Sequence, residues 1–169
     1  PSVIRCFVKQ LIIETQKMKI QEETGEVMEK VRVEKISLPQ RRFRVKTDRC
    51  EVRIGSGERL AVIAGPCVVE DEALMMSTAR RLVDICERLD VGLIFKSSYE
   101  KDNRGSEKNW RGPLALDGLK MLAKIRKEFG CPVLSDIHRQ EDVEMSAEYL
   151  DVLQIPAYLC QQTSLVLAC

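Results

Sequence analysis

The chain has 169 residues, 44% hydrophobic, 31% charged and 5% aromatic, and its 27 Lys and Arg against 26 Asp and Glu leave a net charge of +1. That balance excludes the strongly basic composition of a nucleic-acid-binding domain and the apolar-poor composition of a disordered chain. No run of about 18 apolar residues occurs, so no membrane span is predicted. Seven cysteines without a CxxC pair fit neither a disulfide framework nor a zinc ribbon. They predict free thiols in a reducing, cytoplasmic setting, each a small buried hydrophobe by default.

Residues 3–20 place Ile4, Phe7, Val8, Leu11 and Ile12 at helical spacing. A packing or oligomer-contact helix is the preferred reading, over a transit-peptide remnant. Residues 21–40 are charged and weakly patterned, so 1–40 reads as an extension without legible chemistry. From residue 41 to 60, Phe43, Val45, Val52 and Ile54 flank Thr47-Asp48-Arg49, the pattern of a β-hairpin. Four short apolar runs follow, Leu60–Ala64, Val91–Phe95, Pro132–Leu134 (continuing to Ile137) and Val152–Ile155. None alternates strictly, so all four are predicted as strands buried on both faces. Between them Met75 to Leu89, Leu116 to Ile125 and Val143 to Leu150 repeat every three or four residues, and a fourth helix is predicted from Thr163. Strands alternating with helices predict βαβ units and a parallel sheet over 61–169.

In such a fold the site lies at the C-terminal strand ends, where loops and helix N-termini converge. The first strand runs into Ala64-Gly65-Pro66-Cys67. The second ends Phe95-Lys96-Ser97-Ser98, and the segment from Lys96 to Arg111 carries five Lys or Arg. The third ends Ser135-Asp136-Ile137-His138, which holds the only histidine, and the fourth ends Gln154-Ile155-Pro156-Ala157. Cations among small residues suit phosphate or carboxylate groups. Lys96 ends a buried apolar strand, where an unpaired ammonium is costly. A solvated loop and a structural histidine are the plain alternatives, and Asp136 beside His138 favours chemistry over them.

These segments resemble a known family. Ile63 to Glu70, Ile94 to Arg104, Trp110-Arg111-Gly112-Pro113, Leu134 to His138 and Asp151 to Cys160 are similar to 3-deoxy-D-manno-octulosonate 8-phosphate synthase, in register over about residues 43–169. The resemblance implies a (β/α)8 barrel that condenses phosphoenolpyruvate with arabinose 5-phosphate and releases phosphate. It matches Lys96, Ser98, Lys101, Gln154 and Ala157 to positions that hold phosphoenolpyruvate, and Asn103, Arg104 and Asp136 to positions that hold the sugar phosphate. His138 falls in the same cluster, and Lys101, Asp136 and His138 are the catalytic candidates. Cys67 matches the position that marks a divalent-metal enzyme (Zn, Fe or Mn), where Asn marks the metal-independent class. A homotetramer is also implied, with no nucleic-acid or membrane partner.

The sequence departs from the family at Gly105, where a hydroxyl is usual, at Gln161, where an Arg is usual, and at Lys108, where a His is usual. A (β/α)8 barrel needs about 250 residues, whereas about four βα units are legible here. The expectation is therefore the N-terminal half of a barrel, lacking further metal ligands, binding no metal alone, and giving little soluble protein and no condensation activity by itself. Two other readings stay open. One is a related synthase using erythrose 4-phosphate, and the other is an inactive half-barrel that binds a partner through its open edge.

Overall fold

The structure is a computed structural model in which residues 42–101 and 112–169 are described. The helix expected over 3–20, the extension 1–40, and Asn103, Arg104, Gly105, Lys108, Trp110 and Arg111 lie outside the described residues.

Strands β1 (Arg42–Lys46) and β2 (Glu51–Gly55) form an antiparallel hairpin with Val45 opposite Val52. Thr47 closes its turn. The Thr47 hydroxyl oxygen accepts from the Arg49 and Cys50 amides at 3.3 and 3.1 Å, satisfying donors that a continued strand would have paired.

Four βα units follow in order: β3 (Ala61–Ala64), α1 (Glu72–Leu89), β4 (Gly92–Lys96), α2 (Ala115–Phe129), β5 (Val133–Asp136), α3 (Asp142–Tyr149), β6 (Val152–Gln154) and α4 (Thr163–Ala168). The strands pair in parallel in the order β3-β4-β5-β6. Spatial order equals chain order throughout. A doubly wound sheet reverses its order at a switch point, so this α/β arrangement is instead part of a (β/α)8-type barrel.

Local signals set the helix limits. The Asp71 carboxylate accepts from the Leu74 amide at 2.9 Å and caps the start of α1, which suits the acidic run Glu70-Asp71-Glu72. Gly130 ends α2 at φ 77°, a left-handed conformation that glycine adopts without steric cost.

Strand periodicity then sorts the core into two faces. Leu93, Phe95, Val133 and Leu153 face the helices and join Met75, Ala79, Leu119, Leu122 and Ile125 in the larger cluster. Burying a side chain such as Phe95 or Leu122, each 0% exposed, contributes about 2 kcal/mol. The alternate residues Ile94, Leu134 and Val152 turn the other way, toward what is the barrel interior. There they pack on Val45 and Val52 of the hairpin. The approach is close, since a Cβ on Gly92 would lie 2.8 Å from the Val52 Cγ1.

One expectation is corrected here. β3 is not buried on both faces, because Ile63 is 52% exposed. Among the described residues β3 pairs only with β4, so it forms a sheet edge, and its interior-facing side has no strand across from it. No described helix is long and apolar enough to cross a membrane.

Candidate functional site

The same two-residue period that buries Ile94, Leu134 and Val152 carries Lys96, Asp136 and Gln154 onto the interior face one step later. Two strand residues advance about 6.6 Å, so these three form a polar tier above the apolar one. Register sets Asp136 opposite Gln154, while Lys96, opposite Leu134, reaches up to Asp136 with its ammonium. Ser98 and His138, two residues further along, continue the same parity into the loops.

Asp136 is the hub. Its Oδ1 accepts a short hydrogen bond from the Ser98 hydroxyl and lies 3.7 Å from Lys96 Nζ. Its Oδ2 lies 3.0 Å from His138 Nε2. A carboxylate only accepts, so His138 carries its proton on Nε2 toward Asp136. Lys101 Nζ donates to Ser98 Oγ at 2.6 Å and extends the chain to a second cation. Asp136 and His138 are 7% and 6% exposed. Burial alone would raise the Asp136 pKa. The hydrogen bonds from His138 and Ser98, with the charges of Lys96 and Lys101, outweigh it and hold the carboxyl well below the usual carboxylate range.

Tyr99 supports this hub from behind. Its amide donates to Ser135 Oγ at 3.0 Å, its hydroxyl donates to Asp142 Oδ2 at 2.9 Å, and its ring meets His138 edge-on with centroids 5.7 Å apart. Burial, with the Asp142 carboxylate, pushes the phenol pKa above its ordinary value. The other ring nitrogen of His138, Nδ1, is buried without a hydrogen-bond partner among the described residues.

Five of the sequence-derived candidates thus converge: Lys96, Ser98, Lys101, Asp136 and His138. Gln154 stands beside Asp136 in register, and its carbonyl accepts from the Ile137 amide at 2.9 Å. Ala157 is exposed in a single 3-10 turn, Ala157–Leu159. Cys67 is exposed on the loop after β3, which is tied to the β4 loop by the Val68–Ser98 bridge. Asn103 and Arg104 lie outside the described residues.

Three supporting residues had no role assigned from sequence. Tyr99 was hidden because a phenol in a loop carries no periodic signal, and Ser135 because a small hydroxyl inside a buried strand reads as packing. Gly65 was hidden because its importance is steric: a Cβ there would lie 2.0 Å from the Lys96 carbonyl oxygen. The Gly-Pro pair after a buried strand was the available clue.

A metal was tested against the donors present. Among the described residues no three His, Cys, Asp or Glu side chains converge to hold one, so Cys67 alone does not make a site. The default expectation of buried thiols is also corrected. Cys86 and Cys131 are buried, but Cys160 is exposed like Cys67, because it sits on the loop after β6 rather than on a core face.

The chain matches the model of the DAHP synthetase I family over residues 17–169. It is 54% identical over 117 residues to a protein of Citrifermentans bemidjiense, 55% over 117 residues to one of Geotalea uraniireducens, and 50% over 115 residues to one of Geobacter sulfurreducens. Each of these relatives is named 2-dehydro-3-deoxyphosphooctonate aldolase. The matches cover 68–69% of this chain and 42–43% of each relative, so the chain spans less than half the length of the curated relatives it matches. With parallel βα units in chain order, a polar tier at the strand ends and a family match over most of its length, the chain belongs to the DAHP synthetase I family.

Proposed function

We propose that this chain contributes part of the active site of a synthase that joins phosphoenolpyruvate to arabinose 5-phosphate, giving 3-deoxy-D-manno-octulosonate 8-phosphate and phosphate. The observation that carries the reading is the Lys96–Asp136–His138 group with Ser98 and Lys101, gathered on the interior face at the strand ends. The name shared by the relatives supports it, since 2-dehydro-3-deoxyphosphooctonate aldolase is another name for that synthase.

In this reading Lys96, Lys101 and Ser98 bind the carboxylate and phosphate of phosphoenolpyruvate, while Gln154 and Ala157 line the same pocket. Two ammonium groups beside a hydroxyl offer charge-assisted hydrogen bonds to a compact polyanion. Asn103, Arg104 and Asp136 serve the sugar phosphate. C3 of phosphoenolpyruvate attacks the aldehyde carbon, water adds at C2, and phosphate departs. The new alkoxide takes up a proton, which the Lys101 ammonium supplies and the proton released by the adding water restores, while His138 holds Asp136 through its Nε2–H. Asp136 remains ionised and fixes the imidazole rather than donating. Positioning on rigid strand ends contributes the greater part, because two carbons must meet in one orientation. A divalent metal with Cys67 as one ligand belongs to the expectation for the whole enzyme. The described donors do not complete such a site, and no step is routed through it.

The proposal includes the organisation: 61–169 as barrel units, 41–60 as the hairpin beneath them and 1–40 as a separate extension. It also includes a cytoplasmic homo-oligomer whose ligands are small molecules. A second reading, erythrose 4-phosphate as acceptor, draws on the family description, but the relatives at 50–55% identity favour the first.

Calorimetric titration of the 169-residue chain with phosphoenolpyruvate tests the reading. Lys96→Ala is expected to weaken binding roughly 10- to 100-fold, the worth of a charge-assisted contact. Equal affinity in the two proteins, or no binding by the unsubstituted chain, overturns it.

A further inference from the structure

The hairpin and the N-terminal edge of the sheet line an open cavity, of about 640 Å³, at the opposite end of the strands from Asp136. Val52, Leu93 and Phe129 form part of its wall. So do three cysteines, Cys50, Cys86 and Cys131, none of which takes part in the chemistry above. Three of the chain's thiols therefore line one cavity, although they are far apart in sequence.

Two of them lie on segments that touch. The hairpin turn lies directly on the α2–β5 connection. Thr47 Oγ1 donates to the Gly130 carbonyl at 2.6 Å and lies 3.7 Å from Cys50 Sγ, so one side chain links Cys50 to the residue preceding Cys131. Arg49 Nη1 donates to the Glu128 carbonyl at 3.1 Å. A Cβ on Gly130 would lie only 2.8 Å from the Arg49 Cβ. The segments 47–50 and 128–131 thus run in contact, with a cysteine in each. The Cys131 thiol is pushed up to about 11, first by burial and then by the charge of Cys50.

We propose that this cavity is a thiol–disulfide exchange site, in which Cys50 and Cys131 are oxidised to an intramolecular disulfide by a low-molecular-weight disulfide such as oxidised glutathione. Cys50 is half-buried and Cys131 is buried, so Cys50 is the entry point. Its thiolate attacks one sulfur of the oxidant, forms a mixed disulfide and expels the first thiolate. Cys131, once deprotonated, attacks the Cys50 sulfur, closes the protein disulfide and expels the second. The protein loses two electrons and two protons, and the oxidant becomes two thiols. Because the attacking species is a thiolate, closure quickens as pH rises toward the Cys131 value. The product fastens the hairpin to the floor of the sheet.

The purified chain incubated with oxidised glutathione, alkylated, digested under non-reducing conditions and mapped by mass spectrometry provides the test. The expected result is a Cys50–Cys131 cross-link within one chain, at several-fold higher yield in the folded chain than in concentrated urea. Cys131→Ser should leave Cys50 as a persistent glutathione mixed disulfide, and Cys86→Ser should leave the cross-link intact. A link from either cysteine to Cys86 instead, a yield unchanged by urea, or no Cys50–Cys131 link overturns the proposal. The folded-against-unfolded comparison uses the unsubstituted chain, so it holds even where a variant folds poorly.

Discussion

Asp136 is where burial and charge oppose each other most directly. Two cations, a hydroxyl and an imidazole keep it ionised although it is 7% exposed. A carboxyl whose folded pKa lies below its unfolded value near 3.9 stabilises the fold above that value and loses the effect as pH falls. Asp136→Asn keeps the shape but leaves Lys96 without its counter-charge. The expected cost at pH 7 is about 3 kcal/mol, the range for breaking a buried ion pair. The gap between the two proteins should narrow as pH drops through 4 and below, because protonation makes the native residue resemble the variant. Urea denaturation at several pH values measures this. A gap that stays constant down to pH 3 would show that Asp136 is not held ionised by these partners. The sequence already pointed to a partner for Lys96, since an ammonium ending an apolar strand needs one. It did not identify Tyr99, whose importance comes from contacts across three segments.

At the scale of elements, α2 sets helix propensity against packing. Gly118 lies inside α2, where replacing glycine by alanine ordinarily favours the helix by about 1 kcal/mol. Here a Cβ would lie 2.8, 2.9 and 3.0 Å from the Tyr99 carbonyl oxygen, Cβ and Cα. Two of those three atoms are backbone and cannot swing aside, and overpacking of this kind costs about 1–3 kcal/mol. The second effect is the larger. Gly118→Ala is expected to lower the melting temperature and to disturb the His138 environment through Tyr99. A rise in melting temperature would refute the close approach. Helix limits were readable because Asp71 and Gly130 are chemical stop and start signals. Strand faces were less so. Ile94-Phe95-Lys96-Ser97-Ser98 looks like one apolar run meeting a polar one, yet in space it alternates. Lys96 and Ser98 share a face with Ile94, while Phe95 turns to the helices. The exposure of Ile63 was not readable from local pattern, because it depends on which strands have neighbours; it follows instead from the open edge expected of a half-barrel.

Over the whole molecule the interior face is built in tiers. Val45, Val52, Ile94, Leu134 and Val152 form an apolar base closed by the hairpin. Lys96, Asp136 and Gln154 form the polar tier above, and Ser98 and His138 complete it from the loops. The helix-side core lies across the sheet from both. Parallel βα units were legible from the alternation of strands and helices, and the barrel type from the family resemblance, but the tiers were not, because they require register between strands. This construction predicts that stability and ligand binding respond separately to the two ends. Val52→Ala removes buried methyl groups from the base and leaves a partial void beside Ile94, at an expected cost of about 1–2 kcal/mol. Val45→Ala should cost a similar amount. The double variant should depart from the sum, because Val45 and Val52 stand directly opposite in the hairpin register. Neither change touches the strand ends, so phosphoenolpyruvate affinity should stay within about two-fold, against the roughly 10- to 100-fold loss expected for Lys96→Ala. Denaturation and calorimetry on the unsubstituted chain, the three valine variants and Lys96→Ala decide between two constructions. If Val52→Ala weakens binding as much as Lys96→Ala does, the base positions the polar tier directly, and the two tiers act as one unit.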